Sequence, residues 1–200
     1  MANYTKQTLE SSLQKLMKDR RLNDISVKDL VADCGMNRKT FYYHYNSIAS
    51  LLMDILERDL RAAAAHRTLP CNWRDGGAAV LNYLRKNRAM MQNIYFSVYW
   101  PEIKIGLNRL LTECVDSNLG EAYNIFLDQQ ADAVSLPSGS YNYILRFYSG
   151  AIAALVEQWF IDGMRESVEE YIALLDNFLH DGMFLVFDRF ARAAPGQFMT

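Results

Sequence analysis

Apolar residues recur at helical spacing along almost the whole chain, and this periodicity constrains the fold more than any other feature. One face of a helix predicted over about residues 5–20 carries four of them at i, i+4, i+7 and i+8: Leu9, Leu13, Leu16 and Met17. No alternating strand pattern, repeat of fixed period or low-complexity segment interrupts the periodicity. The sequence therefore predicts an all-α protein.

Two short helices separated by a glycine are predicted in the stretch SVKDLVADCGMNRKTFYYHY, residues 26–45. Ser26 has the side chain of a good N-cap for the first helix. Gly35 can adopt the left-handed backbone conformation that ends this helix. Asn37 is the predicted N-cap of the second helix, which covers about residues 38–45.

Four aromatic residues fall within five positions of the second of these helices, and they cannot all be buried. Stepping about 100° per residue from an inward Phe41 places Tyr45 beside it. The opposite side then carries the other side chains: Lys39, Thr40, Tyr42 and Tyr43. Tyrosine hydroxyls and lysine ammonium groups donate hydrogen bonds to phosphates, and a helix fits the major groove of DNA. The two helices are therefore interpreted as a helix-turn-helix whose second helix contacts DNA.

Charge is distributed unevenly along the chain. Residues 1–52 contain eight basic and five acidic residues, whereas the remainder contains 13 basic and 18 acidic ones. The net charge of the whole chain is -2. A mildly basic end on an acidic body is typical of a protein that presents that end to a polyanion. No apolar run is long enough to span a bilayer and no signal peptide is evident, so a cytoplasmic location is expected.

Motifs of catalysis and metal binding are missing from the sequence. The three cysteines and three histidines are widely spaced, without a C-x-x-C pair, so no metal site is expected. The phosphate-binding, dinucleotide-binding, nucleophile-elbow and zinc-protease motifs are absent as well, so no cofactor and no catalytic residue are expected. The sequence favours a protein that is not an enzyme, and a helical enzyme with an unrecognised site is the alternative of a different class.

The segment ISVKDLVADCGMNRKTFYYHY resembles the DNA-binding part of TetR-family transcriptional regulators, which have a recognition helix of the pattern T-[FL]-Y-x-H-[FY]. The resemblance covers about residues 5–56. It implies a three-helix helix-turn-helix DNA-binding domain over residues 1–50. It further implies a larger helical body over residues 51–200 for effector binding and dimerisation, ending in a C-terminal dimerisation bundle. The body over residues 147–175 resembles a subgroup that contains regulators of dihydroxyacetone kinase operons.

The resemblance also implies which side chains meet DNA. Lys28 would face the DNA from the first helix of the helix-turn-helix. Four residues would meet bases or nearby phosphates: Asn37, Arg38, Lys39 and Thr40. Three would mainly hold the DNA backbone: Tyr42, Tyr43 and His44. Family members commonly place a phosphate-binding lysine where this sequence has Ile48, so here only backbone N–H groups after Ser47 could make that contact.

In family terms, large side chains in the middle of the body would surround an effector pocket. These residues are Met91, Tyr95, Tyr99, Trp100, Tyr123, Phe126 and Tyr148. Aromatic and methionine residues at helical spacing are also what an ordinary packed core contains, and that is the alternative. In that case the body would receive its signal from a protein partner instead of a small molecule.

The last two predicted helices, over about residues 141–163 and 167–192, are apolar over a wide arc. The arc comprises Leu145, Tyr148, Ile152, Leu155, Val156 and Trp159 on one helix, and Leu174, Leu175, Phe178, Leu185 and Val186 on the other. A monomer of this size need not bury so much, so the sequence predicts a homodimer through a two-fold interface of these helices. Intrachain core is the alternative for part of the arc.

The sequence thus predicts a sequence-specific transcriptional regulator that binds a double-stranded DNA operator as a homodimer. Repression relieved by a small-molecule effector is the commoner mode in the family that the chain resembles. Activation, or control by a protein partner, would use the same fold and is the alternative within regulation.

Overall fold

The computed structural model describes residues 2–65, 73–130 and 135–192, with every side chain in these ranges except those of residues 2, 3, 180 and 181. All regular elements in these ranges are helical, which confirms the all-α prediction. They are α1 (Ala2–Asp19), α2 (Val27–Asp33), α3 (Arg38–His44), α4 (Ile48–Ala64), α5 (Trp73–Lys86), α6 (Arg88–Tyr95), α7 (Trp100–Asp128), α8 (Ser140–Ile161) and α9 (Val168–Arg192), with one turn of 3-10 helix at Leu22–Asp24. Among the described helices, none has a long enough apolar stretch to cross a bilayer.

Contacts between residues divide the chain into two compact units. The first unit is Met1–Ala63 with Asn82–Leu107, and the second is Ala64–Leu81 with Asn108–Thr200. The first unit thus combines α1 to α4 with α6 and with parts of α5 and α7. The domain boundary after residue 50 stays a prediction, because compactness of the folded chain does not test which part folds or acts alone.

The ends of α2 and α3 are fixed by their own side chains, as the sequence predicted. Ser26 Oγ accepts the Asp29 N–H at 3.3 Å while the Asp29 carboxylate accepts the Ser26 N–H at 2.9 Å, which forms a capping box. These hydrogen bonds from Ser26 lower the pKa of the Asp29 carboxyl. Asn37 Oδ1 accepts the Thr40 N–H at 2.8 Å at the start of α3. Between the helices Gly35 has a φ of 66°, a left-handed conformation that glycine adopts without strain.

Buried side chains and a shared carboxylate hold α1 against α2. Three of the four residues on the predicted face of α1 are buried, and the fourth, Leu16, is half-buried. Asp33 on α2 accepts hydrogen bonds from Ser12 Oγ at 2.7 Å and from Lys15 Nζ at 2.6 Å. The bond from Lys15 is the main reason that the pKa of the Asp33 carboxyl is lowered. The carboxylate therefore links α1 and α2 in its ionised form.

One amide side chain on α6 completes the end of α1. Asn93 Nδ2 donates to the carbonyl oxygen of Arg20 at 2.9 Å, and Asn93 Oδ1 accepts the Leu22 N–H at 2.7 Å. Nearby, Asn23 Oδ1 accepts the Val98 N–H at 2.9 Å. The last carbonyl groups of a helix have no partner within the helix, so this side chain supplies one of the missing bonds. The sequence did not indicate this long-range cap.

The segment TLPCNWRDGG, residues 68–77, contains a proline and two glycines and predicts a loop. This prediction is wrong from Trp73 onward, because α5 begins there. Residues 68–72 lie outside the described residues. Gly77 lies inside this helix, and a Cβ there would lie 3.2 Å from Ile172 Cδ1 and 3.3 Å from the Trp73 ring. The glycine allows close packing inside a helix, so it is not a turn residue.

The sequence pattern predicts two separate helices over about residues 101–118 and 121–134. This division is wrong, because α7 runs unbroken from Trp100 to Asp128. The part of this prediction at residues 131–134 lies outside the described residues. Gly120 weakens a helix by only about 1 kcal/mol. Burial of Val115, Leu119 and Phe126 on either side of it outweighs that cost.

We expect Phe41→Ala to lower the free energy of unfolding of the N-terminal helices by about 3–5 kcal/mol, since Phe41 is fully buried. Urea denaturation followed by circular dichroism measures the change. Tyr42→Ala is the matched control, because this neighbouring ring is exposed and its removal is expected to leave the stability nearly unchanged. Equal losses in the two variants would contradict the assignment of Phe41 as the core residue of α3.

Candidate nucleic-acid interface

Helix α3 has one buried side and one exposed side, as its sequence predicted. Phe41 is 0% exposed and Tyr45, directly after the helix, is 5% exposed. In contrast, Tyr42 is 56% and Tyr43 82% exposed, and Lys39 is exposed as well. Exposed apolar side chains that are contiguous and rimmed by polar residues are typical of interaction sites. We call Lys39, Tyr42 and Tyr43 the outward face of α3.

The other predicted DNA-binding residues surround this face on α2 and α3. Lys28 and Arg38 are exposed, whereas Thr40 and His44 are half-buried. Asn37 is exposed, but its Oδ1 accepts from both the N–H and the Oγ1 of Thr40, at 2.8 and 3.1 Å. The N-cap of α3 therefore uses the Asn37 oxygen, and the Nδ2 group remains as the donor of this side chain.

The basic side chains of the first unit fall into two groups. Several are held by carboxylates of the same unit, in the pairs Lys6–Asp54 (2.8 Å), Lys15–Asp33 (2.6 Å), Arg20–Asp29 (3.6 Å) and Arg58–Glu10. Lys28, Arg38 and Lys39 form no ion pair within the described parts of the chain, and Lys18 and Arg21 of the same unit form none either. Their positive charge is not compensated locally, so it remains available to an external anion.

The rings of α3 support each other. The Phe41 and Tyr42 rings meet edge to face at 5.3 Å between centroids, and the Tyr43 and His44 rings do so at 4.9 Å. Such contacts favour one arrangement of the rings over others. The exposed tyrosines are thus oriented by neighbouring rings even though their hydroxyl ends reach solvent.

The start of α4 lacks the lysine of the family pattern. Ile48 is 3% exposed, so its side chain contributes to the core and not to a surface contact. The preceding Ser47 Oγ accepts the Ser50 N–H at 3.0 Å, while Ser50 Oγ accepts the Ser47 N–H at 3.1 Å. These reciprocal bonds confirm Ser47 as the cap of this helix. A phosphate contact of the backbone N–H groups stays a prediction.

The seven predicted effector residues fall in both compact units. In the first unit Met91 is buried, Tyr99 is half-buried, and the Tyr95 and Trp100 rings lie 4.8 Å apart. The members in the second unit are Tyr123, Phe126 and Tyr148. Met91, Phe126 and Tyr148 are buried, whereas the other four are half-buried, and a ligand pocket around them stays a prediction.

An aromatic cluster organises the second unit. Phe187 on α9, which is fully buried, contacts the rings of Tyr123 and Phe126 at 5.2 and 5.6 Å. Tyr148 is buried, and burial raises the pKa of its hydroxyl. Phe187 was not among the predicted residues, since its position on a long apolar helix is typical of any core residue.

The indole N–H of Trp159 is a buried polar group that the sequence did not predict. Trp159 is 2% exposed and stacks on Tyr171 at 5.1 Å, but its indole N–H has no acceptor in the described part of the chain. A buried donor without a partner costs about 1–3 kcal/mol. The sequence shows a tryptophan in an apolar helix, but not whether its N–H finds an acceptor.

The large apolar residues of α8 and α9 include one set that is buried and one that is exposed, which we call the exposed stripe. Some predicted interface residues are buried within the second unit, namely Tyr148, Trp159 and Leu175. The exposed residues on α9 are Leu174, Phe178 and Leu185, all within the predicted arc. On α8 the exposed apolar residues are Tyr143, Phe147 and Ile161, which the predicted arc did not include. The other residues of the arc are half-buried: Leu145, Ile152, Leu155, Val156 and Val186. The arc is wide because each helix covers its own core with one side and leaves a second apolar side in solvent.

Solved structures of regulators share this fold. Similarity covers 94% of this chain and 98% of the dihydroxyacetone kinase operon activator DhaS, with a TM-score of 0.65 at 19% identity. A TetR transcriptional regulator from Streptococcus agalactiae 2603V follows with a TM-score of 0.57 at 17% identity, over 86% of this chain and 94% of that one. NalD, the secondary repressor of the MexAB-OprM multidrug efflux pump in Pseudomonas aeruginosa, gives 0.52 at 16% identity, over 92% and 96% of the chains.

Similarity in sequence is stronger but shorter. Over 53 residues the chain is 38% identical to the HTH-type transcriptional regulator EthR of Mycobacterium tuberculosis, and the Mycobacterium bovis protein gives the same value. The match covers 26% of this chain and 24% of those relatives, so it spans about a quarter of their length. A family model described as the C-terminal region of a transcriptional regulator matches residues 71–181. Because this TetR-family model covers more than half of the chain, the protein belongs to the TetR family of DNA-binding transcriptional regulators, which are not enzymes.

Proposed function

We propose that this regulator recognises its operator through the outward face of α3. The observation that carries the proposal is the combination of exposed tyrosines with cations that have no carboxylate partner in the described chain. The helix that presents them is anchored on its other side by the buried Phe41 and Tyr45. A rigid helix with donors on its free side can enter the major groove without a change in its own structure.

The side chains of this surface are suited to different contacts. Arg38 and Lys39 lie in the first turn of α3, and the N-terminal residues of a recognition helix are the ones that reach base edges. Tyr42 and Tyr43 carry hydroxyl groups that donate to phosphates without reading sequence. Lys28, Asn37, Thr40 and His44 would contact nearby phosphates or bases. The proposal thus separates residues that specify the operator from residues that hold its backbone.

We further propose that the protein is a homodimer through the exposed stripe of α8 and α9. Tyr143, Phe147 and Gly150 follow one another at i, i+4 and i+7, so they share one side of α8. Apart from its chain neighbours and the backbone of its own helix, a Cβ added at Gly150 would meet no atom of the described residues within 4 Å, which favours close approach of another helix on this side. Two copies related by a two-fold axis would bind a roughly palindromic operator.

The regulatory mode that we propose is repression relieved by a small-molecule effector. The unpartnered indole N–H of Trp159, inside the second unit, supports a ligand that carries a hydrogen-bond acceptor. A ligand that binds more tightly to a conformation unsuited to DNA shifts the population toward that conformation and so lowers the observed operator affinity. One protein of similar fold is named an activator and another a repressor, so activation and control by a protein partner are the competing modes.

Lys39→Ala and Tyr42→Phe test the outward face. We expect both variants to stay folded and to bind more weakly to a duplex selected by the wild-type protein from a random-sequence library. Loss of the Tyr42 hydroxyl is expected to weaken binding to all sequences about equally. If Lys39 reads a base, preference at one position falls by roughly 1–3 kcal/mol; if it contacts phosphate, the salt slope decreases by about one unit.

Lys86→Ala is the matched control for Lys39, because Lys86 is an exposed lysine on α5. Fluorescence anisotropy at several salt concentrations gives the affinity and the salt slope of each variant. Unchanged affinity and salt slope in both Lys39→Ala and Tyr42→Phe would show that the outward face does not meet DNA.

Phe178→Glu is expected to shift the protein toward monomers at micromolar concentration and to weaken operator binding. The reason is that the substitution places a charge in the proposed apolar interface, where it has no partner. Phe96→Glu is the matched control, since Phe96 is equally a large exposed ring but lies in the first unit. Analytical ultracentrifugation that shows a dimer for Phe178→Glu, or a monomeric wild type with intact DNA binding, would contradict this interface.

A small apolar compound with a hydrogen-bond acceptor is expected to raise the melting temperature and to lower operator affinity. Saturation to 100 times Kd stabilises a protein by about 2.7 kcal/mol. Screening a compound library by thermal shift identifies such ligands, and Trp159→Phe is expected to reduce their effect while Trp73→Phe does not. Hits that act equally on both variants would exclude Trp159 from the site, and a complete absence of hits would favour a protein partner.

A further inference from the structure

A single carboxylate oxygen joins three elements of the first unit beside the recognition helix. Tyr45, which directly follows α3, donates its hydroxyl to Asp54 Oδ2 on α4 at 2.7 Å. Lys6 Nζ on α1 donates to the same oxygen at 2.8 Å, and it lies 5.1 Å from the centroid of the Tyr45 ring. We call Lys6, Tyr45 and Asp54 the α3 anchor.

The anchor is ionic. Burial alone would raise the pKa of the Asp54 carboxyl, but the hydrogen bonds from Lys6 and Tyr45 outweigh burial and lower it. Asp54 is therefore ionised near neutral pH, and hydrogen bonds to an ionised acceptor are shorter and stronger than those between neutral groups. The Tyr45 ring is 5% exposed, whereas the side chains of Lys6 and Asp54 are 40% and 41% exposed, so the bond from the hydroxyl is the buried side of a partly exposed ion pair.

The shortness of α3 makes this bond important. The helix has seven residues, and Phe41 is its only buried residue. Apolar contacts are non-directional, so a buried ring allows small rotations of a short helix about its own position. A hydrogen bond has a defined length and angle, so it restricts those rotations. Asn37 restrains the first turn of α3, and Tyr45 restrains the other end.

We infer that Lys6, Tyr45 and Asp54 are positioning residues for operator recognition, which set the orientation of the outward face without touching DNA. This inference rests on the proposed function, in which that face reads the operator. Base contacts require side chains to be held within roughly 0.5 Å of the productive geometry, whereas non-specific binding comes from the electrostatic attraction of cations to phosphates, which depends less on exact geometry. Loosening the anchor is therefore expected to reduce specific binding more than non-specific binding.

The chain offers a matched control for the anchor. Tyr83 on α5 donates its hydroxyl to Asp59 on α4 at 3.1 Å, so it is a second tyrosine bound to a carboxylate of the same helix. This pair lies away from α3 in sequence, and among the described residues neither side chain has a hydrogen bond, ion pair or ring contact with α3. Removal of either hydroxyl deletes the same kind of bond, but only Tyr45 is joined to the end of the recognition helix.

The experiment uses the 200-residue chain and measures one ratio, the affinity for a selected duplex divided by the affinity for a scrambled duplex. The probes are the duplex selected by the wild type from a random-sequence library and a scrambled duplex of equal length and composition. For Tyr45→Phe we expect an affinity for the selected duplex that is about threefold to tenfold lower, with little change for the scrambled one. Tyr83→Phe is expected to leave the ratio unchanged at a similar melting temperature.

Asp54→Asn provides a second variant that keeps an oxygen able to accept the Tyr45 hydroxyl. Its changed charge acts on both duplexes alike, so the ratio is expected to stay closer to wild type than in Tyr45→Phe. In the combined Tyr45→Phe and Asp54→Asn variant, the ratio is expected to fall to that of Tyr45→Phe alone, because the two side chains act through one bond.

The outcomes separate this inference from the proposal on which it rests. An unchanged ratio in Tyr45→Phe, with weaker binding in Tyr42→Phe, would overturn the positioning role and leave the outward face intact. Equal losses for both duplexes in Tyr45→Phe, or an equal fall of the ratio in Tyr83→Phe, would also overturn it, since either shows general destabilisation. If Tyr45→Phe, Tyr42→Phe and Lys39→Ala all bind like wild type, the proposal that the outward face contacts DNA is wrong.

Discussion

The burial of the Phe41 ring is the interaction on which the first unit and its surface depend. Phe41 is the only buried residue within α3, and its burial fixes which side of that helix faces solvent. Lys39, Tyr42 and Tyr43 are exposed because they lie on the other side. Burying an aromatic side chain contributes about 1.5–3 kcal/mol. The same contact therefore stabilises the helix and determines which side chains it can present to DNA.

Ion pairs connect the helices around this core and neutralise part of the basic side chains of the first unit. Carboxylates of the first unit pair with basic side chains that join α1 to α2 and to α4, including Lys15 with Asp33 and Lys6 with Asp54. Lys28, Arg38 and Lys39 are left without such partners in the described parts of the chain. Among the cations without a carboxylate partner, Arg38 and Lys39 lie in the first turn of α3. The distribution of the carboxylates matters more here than the net charge.

The second unit shows how one apolar helix can serve two surfaces. Helix α8 buries Tyr148 and Trp159 in the core of its own unit, while Tyr143 and Phe147 stay in solvent. A helix that covers a core on one side needs only part of its circumference for that purpose. The additional exposed stripe supports an interface between copies, and the aromatic cluster around Phe187 stabilises the unit within one copy.

The sequence by itself determined the helical class, the caps at Ser26 and Asn37, the turn at Gly35 and the two sides of α3. These features follow from local rules of periodicity, capping and backbone freedom, which act within a few residues. The tertiary structure decided what depends on distant neighbours: the helical course of Gly77 and Gly120, the cap that Asn93 gives to α1, and the bond between Tyr45 and Asp54. Which side of α8 is buried was decided in the same way, since side chains far apart in sequence compete for the same core and only the packed chain determines which of them it contains.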